Sequence, residues 1–176
     1  MEMTDELRTR AARVRLLVFD VDGVLTDGSL YLGDDGREYK AFHSRDGHGM
    51  RMLIDSGVQI AIITGRESEV VRRRMADLGV RHVLQGRTDK AAAFRHLLDE
   101  LHVDAEDTAY VGDDVVDLPA MRRAGLAIAV HDAHPLAVRN AHWVTAGEGG
   151  RGAAREVCEL IMDAHGTLEG QLERFL

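Results

Sequence analysis

Cysteine is almost missing from this chain: Cys158 stands alone, which excludes an internal disulfide and any cysteine-rich metal site. Its setting, Val157-Cys158-Glu159-Leu160-Ile161, suits a buried structural thiol. Proline is nearly as scarce, with only Pro119 and Pro135, both late in the chain. No apolar run approaches the length of a membrane span, and no internal repeat or low-complexity linker interrupts the sequence. The opening residues, Met1-Glu2-Met3-Thr4-Asp5-Glu6-Leu7, place acid where a secretory signal has base followed by an apolar stretch, so a cytoplasmic protein without membrane contact is expected. Positive charge is also in deficit. Lys and Arg number 22 against 30 Asp and Glu, a net charge of -8 that argues against a nucleic-acid partner. A local cluster of cations can still hold a phosphate inside an acidic protein.

What is present is a globular composition, 45% hydrophobic and 30% charged, in 176 residues. That length suits one domain spanning residues 1–176, able to bury roughly two thirds of its unfolded surface. The chain is organised around Val14-Arg15-Leu16-Leu17-Val18-Phe19 and the run Asp20-Val21-Asp22-Gly23-Val24-Leu25-Thr26-Asp27-Gly28 that follows it. An apolar run closed by Asp and Gly reads as a strand buried on both faces of a parallel sheet. Ligands bind outside the carboxyl ends of such strands, so Asp20 and Asp22 can both face the crevice. A calcium loop is excluded, because Val24 and Tyr31 stand where such a loop needs an oxygen ligand and a closing Glu.

Along the chain, residues 1–13 read as a polar helical lead-in. Residues 29–42 read as an inserted β-hairpin with one buried face, turning at Gly33-Asp34-Asp35-Gly36. A helix bearing Met50, Leu53 and Ile54 precedes the strand Val58–Ile63, which delivers Thr64-Gly65-Arg66. A helix over 67–78, a short strand over 80–84 and a helix capped by Thr88 then bring Lys90 into a first turn. The strand over 108–111 ends in Gly112-Asp113-Asp114-Val115-Val116-Asp117, and a helix over 120–124 leads to the strand 126–130. A last short strand at Trp143-Val144, a helix over 153–164 and a tail over 165–176 finish the chain. Strands alternating with helices predict an α/β fold, a parallel sheet covered on both faces.

The strand ends together suit phosphoryl transfer through a covalent aspartyl phosphate. Asp20 is the candidate nucleophile. Asp22 is the candidate general acid and base, protonating the leaving alkoxide and then activating water. Carboxylate and phosphate repel unless a cation lies between them, and an oxygen-only site of small aspartates suits Mg2+. Asp20 and Asp113 would hold it, with Asp22 adding a main-chain carbonyl and Asp114 and Asp117 standing behind. Thr64 can hydrogen-bond the phosphate and Lys90 can neutralise its charge. His131 and His134 have no third ligand at metal spacing and read as loop residues.

The order Asp20-x-Asp22-Gly23-Val24-Leu25-Thr26, Thr64-Gly65-Arg66, Lys90 and Gly112-Asp113-Asp114-x-x-Asp117 resembles the four motifs of the haloacid dehalogenase superfamily. Nearly the whole chain resembles its branch acting on 3-deoxy-D-manno-octulosonate 8-phosphate, including Arg45-Asp46-Gly47 and Gly149-Gly150-Arg151-Gly152-Ala153-x-Arg155-Glu156. The resemblance implies a three-layer Rossmannoid domain without a cap. It implies a magnesium-dependent phosphatase that releases the free sugar acid on the route to bacterial lipopolysaccharide, and a homotetramer in which the hairpin and a neighbour's surface close each site. By matching motifs it also implies substrate contacts at Asp22, His43, Ser44, Arg45, Asp46, Gly47, Arg51, Arg66, Arg74 and Lys90. His43 and Ser44 depart from the usual pattern there. The loop over 147–155 and the tail are expected near a neighbouring active site. Three alternatives are open: a phosphatase for a nine-carbon sugar acid phosphate, a catalytically silent assembly module, and a two-component receiver domain. The order of motifs argues against the receiver, and intact Asp20, Asp22, Lys90 and Asp113 against the silent module.

Overall fold

The computed structural model describes residues 4–176, so the first three residues of the expected lead-in lie outside the described residues. The rest of that segment is helix α1, Asp5–Ala12. Thr4 caps it by accepting a hydrogen bond from the Leu7 N–H, and Asp5 and Glu6 sit at the positive end of its dipole. Strand β1, Leu16–Phe19, follows and is buried throughout. Next come the hairpin strands β2, Tyr31–Leu32, and β3, Glu38–Tyr39, then α2, Ser44–Asp55, and β4, Gln59–Ile63. The chain continues through α3, Glu69–Leu78, β5, His82–Leu84, α4, Lys90–Leu101, and β6, Thr108–Gly112. It ends with α5, Leu118–Met121, β7, Leu126–Ala129, α6, Pro135–Asn140, β8, Trp143–Val144, α7, Ala153–Ala164, and α8, Leu168–Leu172.

Six strands pair in parallel in the order β5-β4-β1-β6-β7-β8. Parallel neighbours require crossovers, and the helices that supply them cover both faces. Strand alternation divides the core accordingly. Leu17, Phe19, Ile60, Ile62, Val111 and Ile128 pack towards α1, α2, α3 and α7, whereas Leu16, Val18, Ala61, Ile63, Tyr110 and Ala127 pack towards α4, α5 and α6. Each buried Val, Leu, Ile or Phe among them contributes about 1.5–3 kcal/mol.

The site is placed by the switch in strand order. From β1 the chain moves outwards through β4 and β5, then crosses to β6 on the opposite side. Phe19 lies in register with Ile62 of β4 and Val111 of β6, so three carboxyl ends open at one edge. Only the hairpin, α2 and β4 occupy the interval from Asp20 to Thr64, and α3 with β5 that from Thr64 to Lys90. Among the described residues no cap domain stands over the crevice, as expected.

Several expectations are corrected. The hairpin strands shrink to two residues each, and Tyr31, Leu32 and Tyr39 are exposed, so its apolar side chains are not covered within one chain. Helix α3 begins at Glu69 behind Ser68, and α5 begins at Leu118 with Pro119 in its first turn. Asp89, not Thr88, caps α4: its carboxylate accepts from the Ala92 N–H at 2.9 Å, and Lys90 becomes the first helical residue. The tail folds onto α2 of its own chain, with the Phe175 ring 5.0 Å from that of His48 and Arg174 paired with Asp55 at 3.3 Å. Among the described residues no helix is long and apolar enough to cross a membrane.

Candidate active site

Asp20 is the first residue beyond β1, and its N–H donates to the Val111 carbonyl at 3.1 Å, continuing the β6 pairing. Its side chain is 8% exposed, with Oδ2 2.9 Å from Lys90 Nζ. A cation in the first turn of a helix opposes the helix dipole, so Lys90 needs carboxylates to hold it there. It has two, because its ammonium also donates to Asp117 Oδ1 at 2.6 Å. Asp117 is fully buried and saturated. Tyr110 Oη donates to Oδ1 at 2.9 Å, while the N–H groups of Asp113 and Asp114 approach Oδ2 at 3.2 and 3.4 Å.

Asp20, Asp113 and Asp117 each bring an oxygen within 4.8 Å of the others. Fully ionised, these three carboxylates exceed the single ammonium of Lys90 by two charges. Burial first, and then Asp117, push the Asp20 carboxyl up to about 6. Burial with Asp117 and Asp20 pushes Asp113 up to about 8. Burial alone would lower Lys90, but Asp20 and Asp117 outweigh it and raise the ammonium. Asp20 Oδ1 is buried without a hydrogen-bond partner. An orphaned carboxylate oxygen in a hard-oxygen site with two charges in excess fits a divalent cation. Asp117 is geometrically part of the cluster, and its four donors also make it an anchor for Lys90 and the β6 loop. Asp114 is exposed and its Oδ1 accepts from the Val115 N–H at 2.7 Å.

Gly23 explains the glycine of the first motif. It sits at φ +87°, and a Cβ there would lie 2.2 Å from Asp113 Oδ2. The loop Gly147–Gly152 supports the same segment. The Gly150 N–H donates to the Val24 carbonyl at 2.8 Å, and a Cβ on Gly149 would meet the Gly23 carbonyl oxygen at 1.8 Å. This loop therefore buttresses its own chain's Asp20–Asp27 segment.

Asp22 points into a different environment. Its Oδ1 accepts a hydrogen bond from Lys40 Nζ, and its Oδ2 is 3.8 Å from Arg66 Nε. Glu38 joins both cations, with Oε1 3.1 Å from Lys40 Nζ and 3.2 Å from Arg66 Nη2. Burial would raise Glu38, but Lys40 and Arg66 hold it below its ordinary value. Its partners hold the Asp22 carboxylate apart from the group formed by Asp20, Asp113 and Asp117. Sequence reasoning missed Glu38 and Lys40; Glu38 lies on β3 and Lys40 just beyond its end, and their i, i+2 spacing in an extended segment was the available signal.

Thr64 is buried at the end of β4, its backbone tied to the Leu84 carbonyl and the Arg87 N–H at 3.0 and 2.9 Å. The remaining expected contacts do not join Asp20 within one chain. Asp46 is buried and its oxygens accept from the N–H groups of Gly152 and Arg155 at 3.2 and 2.9 Å, tying α2 to α7. Gly47 is covered by Arg74, whose Nη2 would be 2.1 Å from a Cβ at that position. His43 and Arg74 line one small cleft with Leu25 and Phe42. Of this group Asp46 and Gly47 are therefore engaged by the chain itself, whereas Ser44, Arg45 and Arg51 are exposed.

Against known proteins this arrangement has close counterparts. Residues 48–125 match the haloacid dehalogenase-like hydrolases. The 3-deoxy-D-manno-octulosonate 8-phosphate phosphatase of Yersinia pestis is 50% identical over 168 residues, 96% of this chain and 90% of that protein. The crystal structure of that Yersinia pestis phosphatase superposes with a TM-score of 0.93, at 51% identity, covering 94% of this chain and 90% of its own. The phosphatase of the same name from Moraxella catarrhalis, crystallised with a magnesium ion, a phosphate ion and a KDO molecule, superposes with a TM-score of 0.96 at 39% identity, covering 98% and 99% of the two chains. The shared length, the capless sheet and the aspartates at its carboxyl edge lead to one conclusion: the chain belongs to the 3-deoxy-D-manno-octulosonate 8-phosphate phosphatase family of the haloacid dehalogenase superfamily.

Proposed function

We propose that the protein hydrolyses 3-deoxy-D-manno-octulosonate 8-phosphate to the free sugar acid and phosphate, with Asp20 as nucleophile. The observation that carries this reading is the Asp20 carboxylate itself, fixed through Oδ2 by Lys90 and keeping a buried Oδ1 without a partner. Asp20 attacks phosphorus, and the bond to the sugar oxygen breaks as Asp22 gives that oxygen a proton. Asp22 then takes a proton from the water that attacks the aspartyl phosphate, releasing phosphate and restoring Asp20. Lys90, held by Asp117, balances charge on the transferring group, and Thr64 donates to a phosphate oxygen. Asp20, Asp113 and the Asp22 carbonyl would hold Mg2+, whose chemistry when bound is to neutralise the mutual repulsion of carboxylate and phosphate.

Arg66, beside Asp22, suits the carboxylate of the sugar acid, since a guanidinium can grip it with two hydrogen bonds. His43, Asp46, Gly47 and Arg74 would shape the wall of the sugar site. Ser44, Arg45 and Arg51, exposed and separate within one chain, would serve a neighbour's site in a homotetramer joined through the exposed hairpin. That assembly would act in the cytoplasm, on the route to lipopolysaccharide. Magnesium-dependent phosphate release from the eight-carbon substrate, measured beside the nine-carbon analogue with Asp20→Asn as control, tests the reading. Preference for the eight-carbon sugar, lost in the variant, is expected. Preference for the nine-carbon sugar would keep the mechanism and change the substrate, and no release from either would overturn both.

A further inference from the structure

Lys40 belongs to the hairpin, not to the central sheet, yet its side chain is 1% exposed. Covering an ammonium this completely is unfavourable unless carboxylates replace its hydration. Two do so: Asp22, through Oδ1, and Glu38, at 3.1 Å. Glu38 in turn contacts Arg66 at 3.2 Å, and Arg66 returns to Asp22 at 3.8 Å, which closes a ring of four alternating charges. The ring is unequal. Asp22 is held firmly by one oxygen, Oδ1, whereas Oδ2 lies beyond hydrogen-bond distance of Arg66. Lys90, by contrast, contacts Asp20 and Asp117, so the two buried lysines share no carboxylate.

We infer that Lys40 is a positioning residue for the acid–base step: by gripping Oδ1 it fixes the torsion and plane of the Asp22 carboxyl and presents Oδ2 for proton transfer. The inference rests on the role proposed above for Asp22. It gives the hairpin a chemical purpose beyond covering the site. Glu38 braces Lys40 from β3, so any ordering of the hairpin reaches Asp22 through one buried ammonium. A carboxylate free to rotate spends part of its time misdirected, and proton transfer needs the donor within hydrogen-bond reach of the leaving oxygen.

The test compares two leaving groups through kcat/KM, which reports events up to the first phosphoryl transfer. A sugar alkoxide needs a proton to leave, whereas p-nitrophenolate does not. Lys40→Met is expected to lower kcat/KM for the sugar acid phosphate by about 10²-fold, within the range typical of general acid catalysis. For p-nitrophenyl phosphate the loss should be under about 5-fold. Lys40→Arg, which keeps the charge, should recover much of the loss. Thermal melting checks each fold, and Lys40→Gln replaces Lys40→Met with the same two outcomes if the latter does not fold. Equal losses on both substrates would overturn the inference, as would a raised KM for the sugar acid phosphate with kcat unchanged. A wild type active on p-nitrophenyl phosphate but not on the sugar acid phosphate would overturn the functional reading instead, and the same ratio against another alkyl phosphate then decides Lys40.

Discussion

Asp20 and Asp22 lie two residues apart and belong to different parts of the molecule. Asp20 is fixed to the sheet: its backbone continues the β1–β6 pairing, and its carboxylate meets Lys90, itself locked by the buried Asp117. Asp22 is held from outside the sheet, by Lys40 of a hairpin whose strands are two residues long and by Arg66 after β4. One carboxylate thus inherits the rigidity of the core, and the other depends on an element that would be barely stable alone. The nucleophile must meet phosphorus in one geometry. As the proposed acid–base group, Asp22 must serve a leaving oxygen and later a water, so its carboxyl has to be aimed, and Lys40 supplies that aim from outside the core.

The strongest way to break this contrast is at the core. Asp20→Asn should reduce kcat by at least about 10⁴-fold, as expected for loss of a nucleophile, with the melting temperature unchanged or raised because a repelling carboxylate is gone. Asp117→Ala strips a buried partner from Lys90 and Tyr110 together, and should destabilise the fold by about 3 kcal/mol in chemical denaturation. A loss comparable to that of an exposed residue would deny Asp117 its anchoring role.

A third test concerns charge. Asp20 and Asp113 are raised, so above the ordinary carboxylate range the folded chain holds protons that the unfolded chain has lost. Stability without metal should therefore fall as pH rises from about 4 to about 8, where Asp113 finally ionises. Magnesium offsets the same repulsion, so it should raise the melting temperature by several degrees more at about pH 8 than at about pH 5. An equal shift at both pH values would contradict the charge assignment. The smallest effect is expected at the hairpin. Leu32→Ser removes an exposed side chain and should change the stability of the isolated chain by under about 0.5 kcal/mol. It should nevertheless lower the assembly mass seen by light scattering if the hairpin joins subunits.

The same contrast governs what could be read from the residues. The sheet, its order of helices and the Asp20, Thr64, Lys90 and Asp113 ends were legible because buried parallel strands are near-continuous apolar runs with polar punctuation. The fates of Glu38 and Lys40 were not. In a hairpin of alternating polar and apolar residues, the pattern says that two faces differ but not which of them meets the protein. Tyr31 and Tyr39, paired across the hairpin, turned out to be exposed, and so did Leu32 on the other face. Asp46 illustrates a second limit: a carboxylate in a motif looks available, and only the fold reveals that Gly152 and Arg155 occupy it. Asp89 took the cap from Thr88 because one residue of offset is beyond what a run of polar residues specifies.

The most direct test of the account is to find where the phosphoryl group goes. Enzyme mixed with the sugar acid phosphate and magnesium, quenched in acid and digested, can be searched by mass spectrometry for the phosphorylated peptide, using Asp22→Asn to slow the water step. The account predicts the phosphoryl group on Asp20, and none in Asp20→Asn. Phosphorylation of Asp113, or turnover by Asp20→Asn at an undiminished rate, would contradict it.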